Sequence, residues 1–214
     1  MLSPCLVIAC ALLTPQIASA AVVLHMGGPD LWGRGRTLPD NAIEVVIEDV
    51  AADTVRLTID SAHLPDDGTK VVAVALNVAP TFGWWSIDFD WISGIQASTA
   101  SLLPNWVLGF GPAGRFDVLF TYPILRRQGQ FRSGQASVYE LTGDGLDSQD
   151  FLTLSTGNEP AYGAFHALNS GICGGTGTYA ATHLAPEPTS IAIWSLLGLA
   201  ALSPCWRRRR RPIR

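Results

Sequence analysis

Two aspartates, Asp88 and Asp90, stand among tryptophans in Trp84-Trp85-Ser86-Ile87-Asp88-Phe89-Asp90-Trp91. On an extended strand both carboxylates face one side, about 7 Å apart from a rise of ~3.4 Å per residue. That separation suits the paired carboxylates of glycoside hydrolysis. Trp84, Trp85 and Trp91 offer aromatic faces on which the apolar side of a sugar packs, so the stretch is a candidate carbohydrate site. The same alternation is what a half-exposed strand produces, with the acids in solvent and the aromatics in the core, and the pattern favours this second reading.

Asp144, Asp147 and Asp150 recur every third residue in a polar turn, Gly143 to Asp150. Such a turn offers several oxygens to Ca²⁺, the one cofactor the sequence suggests. The spacing departs from the EF-hand loop and lacks its final bidentate Glu, and solvated turn acids are the favoured reading. His25, His63, His166 and His183 are scattered, without a His or Cys partner at metal-ligand spacing. No Gly-x-Ser-x-Gly elbow supports a Ser-His-Asp triad. Gly174-Gly175-Thr176-Gly177 lacks the Lys and following helix of a phosphate-binding loop and reads as a flexible segment. Cys173 is the one cysteine of the central body, so no disulfide is expected within it, and a small buried apolar role is favoured. No catalytic residue is assigned, and a non-enzymatic protein is expected.

The elements that would position these residues are strands. Val22 to Met26 is β-prone, and Gly27 to Pro39 reads as a loop. Ile43 to Glu48 and Val55 to Asp60 alternate at period two around a short polar connection, Asp49 to Asp53, which predicts a hairpin. Pro65-Asp66-Asp67-Gly68 is turn chemistry. Lys70 to Ala79, rich in Val, predicts a central strand buried on both faces. Trp106 to Phe110, Phe116 to Tyr122, Gln135 to Thr142 and Tyr162 to Leu168 are further strands, separated by Gly, Pro, Ser and Asn. No window of the body sustains helical periodicity. Many short strands with frequent turns predict an all-β two-sheet sandwich or jelly roll, with a barrel as the alternative.

The ends of the 214-residue chain read differently. Cys5 to Leu13 is apolar, Pro15 breaks a helix, and Ala18-Ser19-Ala20 precedes a cleavage site before Ala21, so residues 1–20 read as a secretory signal peptide. A lipoprotein-type site at Cys10 is the less favoured reading. Residues 21–185 form one domain. At the C-terminus Pro186-Glu187-Pro188 precedes an apolar segment, 189–206, and the cluster Arg207, Arg208, Arg209, Arg210 and Arg211. The segment is short for a transmembrane helix, and the arginines favour a cytoplasmic end. Six of the 14 Lys and Arg lie in this tail but just one of the 18 acids, Glu187, so the body carries a net charge near −9. Such a surface repels nucleic acid and anionic lipid.

Tripeptide, apolar run and basic cluster in that order resemble the PEP-CTERM sorting signal of bacterial surface and exopolysaccharide-associated proteins. The resemblance covers residues 186–214. It implies Sec-dependent export, transient anchoring in the inner membrane, processing by an exosortase-type membrane protease, and a destination in the cell envelope or extracellular polymer. The body also loosely resembles a type found on other proteins with this signal. Three features carry that likeness: the Val-rich strand ending in Asn77, the strand Phe116-Asp117-Val118-Leu119-Phe120, and Leu141-Thr142-Gly143 to Asp150-Phe151 followed by a strand with His166. That group implies no general activity. An exported binding or structural module is therefore expected, with a lectin or glycoside-active jelly-roll enzyme as the alternative and extracellular polysaccharide as a possible partner.

Overall fold

The computed structural model describes residues 21–33, 35–79, 87–107, 109–125, 129–169 and 175–182. The expected signal peptide, C-terminal helix and sorting motif lie outside them, as do Trp84, Trp85, Cys173 and His183.

The described chain is all-β. Its strands are β1 (Val22–Gly28), β2 (Leu38–Ala51), β3 (Thr54–Asp60), β4 (Lys70–Leu76), β5 (Asp88–Gly94), β6 (Thr99–Val107), β7 (Phe116–Thr121), β8 (Phe131–Arg132), β9 (Ala136–Thr142), β10 (Gly163–Leu168) and β11 (Thr176–Ala181). Among the described residues the helical elements are two 3-10 turns, Gly111–Ala113 and Ser148–Phe151. The strands form one nearly closed antiparallel sheet in the order β5-β9-β3-β2-β1-β11-β10-β4-β7-β6, with β8 beside β4. The two ends of this path, β5 and β6, are consecutive in the chain. Residues 95–98 join them, held by Ile95 N–H to Ala136 O (2.8 Å), Ala97 N–H to Tyr139 Oη (2.7 Å) and Ser98 N–H to Thr121 O (2.7 Å).

Alternation explains the core. Leu24 and Met26 of β1, Val45 and Ile47 of β2, and Leu57 and Ile59 of β3 point inward and are fully buried. Phe89, Phe120 and Tyr139 cross the interior, with ring centroids 5.9 Å apart for the first pair and 5.0 Å for the second. A smaller cluster of Ala75, Val107, Phe110, Ala113, Phe116, Ala161, Ala164 and Ala180 lies apart from this core. Ala75, Ala164 and Ala180 are register partners across β4, β10 and β11. Small side chains there let loops settle directly on the strands.

The β1–β11 joint is narrow, with one registered pair, Gly27↔Ala180. Beside it, a Cβ on Gly27 would stand 1.8 Å from the Pro39 carbonyl oxygen of β2, so the irregularity in the β1–β2 ladder between Met26 and Gly28 requires glycine.

The hairpin expected around residues 49–53 is β2–β3, turned through Asp53 at φ 60. The Val-rich strand is central as expected, with β10 on one side and β7 on the other. Three boundaries differ. The segment expected to be flexible around Gly177 is β11, buried at Gly177 and beyond, because its main chain pairs with β10 residue by residue from Thr176 to Ala181. The strand expected at Trp106 to Phe110 is the end of β6, which begins at Thr99 and stops at Val107, and Phe110 instead joins the smaller cluster. The loop expected over Gly27 to Pro39 is shorter, because β1 runs to Gly28 and β2 begins at Leu38.

Candidate functional site

Asp88 and Asp90 sit on β5, which among the described residues pairs with β9 alone. The expected alternation holds: both acids are exposed, Ile87 is buried and Phe89 is half-buried against Phe120. Trp91 shares the inward register of Phe89, opposite Tyr139, yet is 43% exposed, and the ladder shifts immediately after it. Asp90 stands opposite Glu140, which in turn faces Arg56, itself opposite Glu48. Arg56 holds Glu140 through Nε (3.2 Å) and Nη2 (2.7 Å). This row offsets the repulsion between two acids facing each other across strands. The carboxylates thus belong to an outward polar face, and Trp84 and Trp85 fall outside the described residues.

The acidic turn is held by capping hydrogen bonds. Asp147 caps the 3-10 turn, its carboxylate accepting from Gln149 N–H (2.8 Å) and Asp150 N–H (3.2 Å), while Asp150 Oδ2 accepts from Asp147 N–H (2.8 Å). This reciprocal capping box satisfies otherwise orphaned amides. Asp49 accepts from Ser148 N–H (2.7 Å) and Ser148 Oγ–H (3.0 Å), and Asp53 Oδ1 accepts from Gly145 N–H (2.8 Å). Burial, then the nearby charges of Asp147 and Asp49, hold the Asp150 carboxyl above its ordinary range against the pull of the Asp147 amide. Asp144 is exposed. Among the described residues no three His, Cys, Asp or Glu side chains converge to hold a metal.

The described histidines are apart from one another. His25 Nε2 contacts Glu44 Oε2 (2.9 Å) on the outer face, His63 is exposed in a turn, and His166 Nδ1 contacts Thr178 Oγ1 (3.2 Å). Burial lowers the His166 pKa, opposed by the charge of Asp30.

Pattern reasoning did not assign the buried polar joints. Asp117, 5% exposed inside an apolar strand, accepts from Asn105 N–H at Oδ1 (2.8 Å) and from Val78 N–H at Oδ2 (3.2 Å). Asn77, oriented with its amide nitrogen toward Asp117 Oδ2 (3.3 Å), accepts from Ser155 N–H (2.8 Å). Ser155 Oγ donates to Ala113 O and accepts from Ala161 N–H (2.9 Å). One buried carboxylate therefore ties the end of β4, the bulge of β6 and, through Asn77, the loop after the second 3-10 turn. The signal was present: a charge inside an apolar run is buried only at the cost of satisfying it. Asp30 closes the loop after β1 in the same manner, accepting from Gly35 N–H (2.7 Å) and Thr178 N–H (2.6 Å). Next to it Arg36 pairs with Asp67 and donates from Nη2 to Thr69 Oγ1 (2.8 Å), which holds the Asp67 carboxyl well below the usual carboxylate range.

Two tryptophans to which the sequence assigns no site role are prominent on the surface. Trp32 is 55% exposed and Trp106 78%. Trp32 packs against Gly111, where an added Cβ would lie 2.6 Å from the indole, and Gly111 has φ 63. Trp106 lies in a bulge where registered pairing skips from Leu102↔Val118 to Val107↔Phe116, with Asn105 at φ 53. Compared with protein-family models, with curated proteins and with solved structures, the chain matches none.

Proposed function

We propose that the chain is an exported protein whose β body acts as a non-enzymatic binding or structural module at the cell envelope or in extracellular polymer. One observation supports the module reading above others. The buried side chains with the strongest chemistry, Asp30, Asp117, Asn77 and Ser155, are engaged as joints that hold main-chain amides across loops. What faces outward is a polar strand face and exposed aromatic rings, a surface suited to recognition. For the finer architecture we assign a two-sheet sandwich, β1, β2, β3, β9 and β5 facing β11, β10, β4, β7 and β6.

The order of Pro186-Glu187-Pro188, apolar segment and arginines supports delivery by a PEP-CTERM-type signal, with residues 1–20 as signal peptide and an exosortase-type protease as processing partner. Mass spectrometry of the protein from its native host tests this: termini are expected at Ala21 and near Pro186-Glu187-Pro188, and an unprocessed mass refutes it. Deletion of Pro186 to Arg214 should release the body from the envelope fraction. The glycoside-active alternative places turnover on Asp88 and Asp90. Asp88→Asn with Asp90→Asn abolishes turnover under that alternative and changes nothing under ours.

A further inference from the structure

We infer that Lys70 and Arg132 form a binding site for a tetrahedral oxyanion, phosphate or sulfate, whether free or on a lipid headgroup. This goes beyond the module reading and does not depend on the sorting signal. Lys70 opens β4, Arg132 closes β8, and the two are register partners in an antiparallel pair. The next partners in that ladder, Val71 and Phe131, are fully buried, so Lys70 and Arg132 share the outward side. Residues directly opposite hold their Cβ atoms about 4.5–5.5 Å apart, and like charges so placed repel. Elsewhere the sheet sets a cation between acids, with Arg56 opposite Glu48 on one side and Glu140 on the other. The other neighbour of Lys70 is Leu168.

No carboxylate answers these two charges. Among the described residues the ion pairs are His25–Glu44, Arg36–Asp67 and Arg56–Glu140, and the Lys70 side chain has no hydrogen-bond partner. Arg132 donates from Nε (3.0 Å) and Nη2 to Gln130 Oε1, a neutral acceptor, which fixes the plane of the guanidinium and leaves Nη1 open. Gln130 is 4% exposed and donates from Nε2 to Ile124 O, so the fork is held in place. A fixed planar fork beside a point ammonium is the donor set that phosphate and sulfate take.

The surroundings gather positive charge although the body as a whole is near −9. Six of its eight Lys and Arg, namely Arg34, Arg36, Lys70, Arg126, Arg127 and Arg132, lie in or beside the β1–β2, β3–β4 and β7–β8 connections. Arg36 ties the first of these to the second through Asp67, and Ser61 N–H ties the second to Gln135 O, three residues after Arg132 (2.9 Å). Of the three acids in these connections, Asp30 and Asp67 are engaged and Asp66 pairs with no cation. Ile124 is 41% exposed and Leu125 92%, so the β7–β8 connection also offers apolar side chains to a membrane surface. A phospholipid headgroup is therefore the second source of the oxyanion.

The test follows the Tm of the full-length chain in neutral detergent micelles by circular dichroism, in sodium chloride and in sodium phosphate at equal ionic strength. Phosphate stabilises many proteins by exclusion, so the site is read as the part of the shift that Lys70→Gln removes. At roughly tenfold excess over Kd that part should be about 3–6 °C. Lys70→Arg should keep it, and Arg132→Gln should lose it. In dilute chloride Lys70→Gln should match or exceed the wild-type Tm, because the opposed charges are gone. The arginines of the tail are common to all variants and cancel. Doping the micelles with phosphatidylglycerol, against phosphatidylcholine, separates the sources. A Lys70-dependent shift with phosphate alone assigns the site to a free ion, and one with phosphatidylglycerol assigns it to a headgroup. Equal phosphate shifts in wild type and Lys70→Gln, with none from phosphatidylglycerol, overturn the inference. So does a Lys70→Gln Tm below wild type in dilute chloride, which makes Lys70 a structural partner instead.

Discussion

Replacing Asp117 by Ala should unfasten the loops of one whole face. The carboxylate accepts from Val78 N–H (3.2 Å), from Asn105 N–H (2.8 Å) and from the Asn77 amide (3.3 Å). Asn105 is exposed, so water can replace its lost partner at little cost. Val78 and Asn77 are each 2% exposed and cannot be rescued in this way. An orphaned buried donor costs about 1–3 kcal/mol, so two give roughly 2–6 kcal/mol. For a body of this size ~1 kcal/mol shifts Tm by about 2–4 °C, so a fall of roughly 5–20 °C is expected. Asp117→Asn keeps the shape and one acceptor, and Asn77 can turn its amide to meet the new nitrogen, so its loss should be less than half as large. Thermal denaturation followed by far-ultraviolet circular dichroism, with tryptophan emission as a second probe, reads both variants. A Tm for Asp117→Ala within about 1 °C of wild type would falsify the joint. Equal losses in the two variants would show that charge, rather than the pattern of hydrogen bonds, is what matters.

Three further outcomes follow from other residues. Tyr122 is 3% exposed and its hydroxyl has no partner among the described residues, since nearby Ser137 donates to Ile95 O (2.6 Å), so Tyr122→Phe should be neutral or stabilising by up to about 2 kcal/mol in urea unfolding. Burial also pushes the Tyr122 phenol above its ordinary value of 10.0, so its contribution is whole below that pH and lost as pH climbs beyond it; the Phe variant should resist alkali better, and a destabilised Phe variant would mean a hidden partner. Arg36 lowers the Asp67 carboxyl from 3.8, so that stabilisation is whole above about pH 4 and falls away progressively in strong acid; because the pair is partly exposed, Asp67→Asn should cost ~1 kcal/mol or less at pH 7, a smaller amount at pH 2, and less in 1 M salt, and a pH-independent difference would sink the ion-pair account. Gly27→Ala sets a methyl against the Pro39 carbonyl and should cost about 3 kcal/mol or more, whereas an unchanged Tm would mean that β2 yields at Pro39 and the close approach of β1 to β2 there is not needed.

The sequence made the strands with alternating or Val-rich patterns legible, β2, β3, β4, β7, β9 and β10 among them, because period two records which side of a strand meets the core. It also placed Asp88 and Asp90 on the outward side of β5. Neighbourhood was beyond its reach. Alternation says which face is buried but not which strand lies alongside, so the pairing of β1 with β11 and of β5 with β9 had no local signature. β11 was hidden by its composition, since Thr176-Gly177-Thr178 reads as a linker until the close packing around it is known. The joints at Asp30 and Asp117 were visible as isolated acids near apolar runs, but their partners are amides from distant segments. Trp32 and Trp106 carried no distinguishing pattern at all, because their exposure is set by Gly111 and by a bulge.

The Gly27↔Ala180 joint has a kinetic consequence. It links the first strand of the body to the last, so the sheet cannot be completed until nearly the whole body is available. β1, β2 and β3 can assemble as a local meander, while β4 must wait for β10, with β5 to β9 between them in the chain. Such non-local closure is slow, and its incomplete forms carry open strand edges prone to misassociation. Truncations that remove β11 should therefore yield aggregates rather than a smaller stable domain.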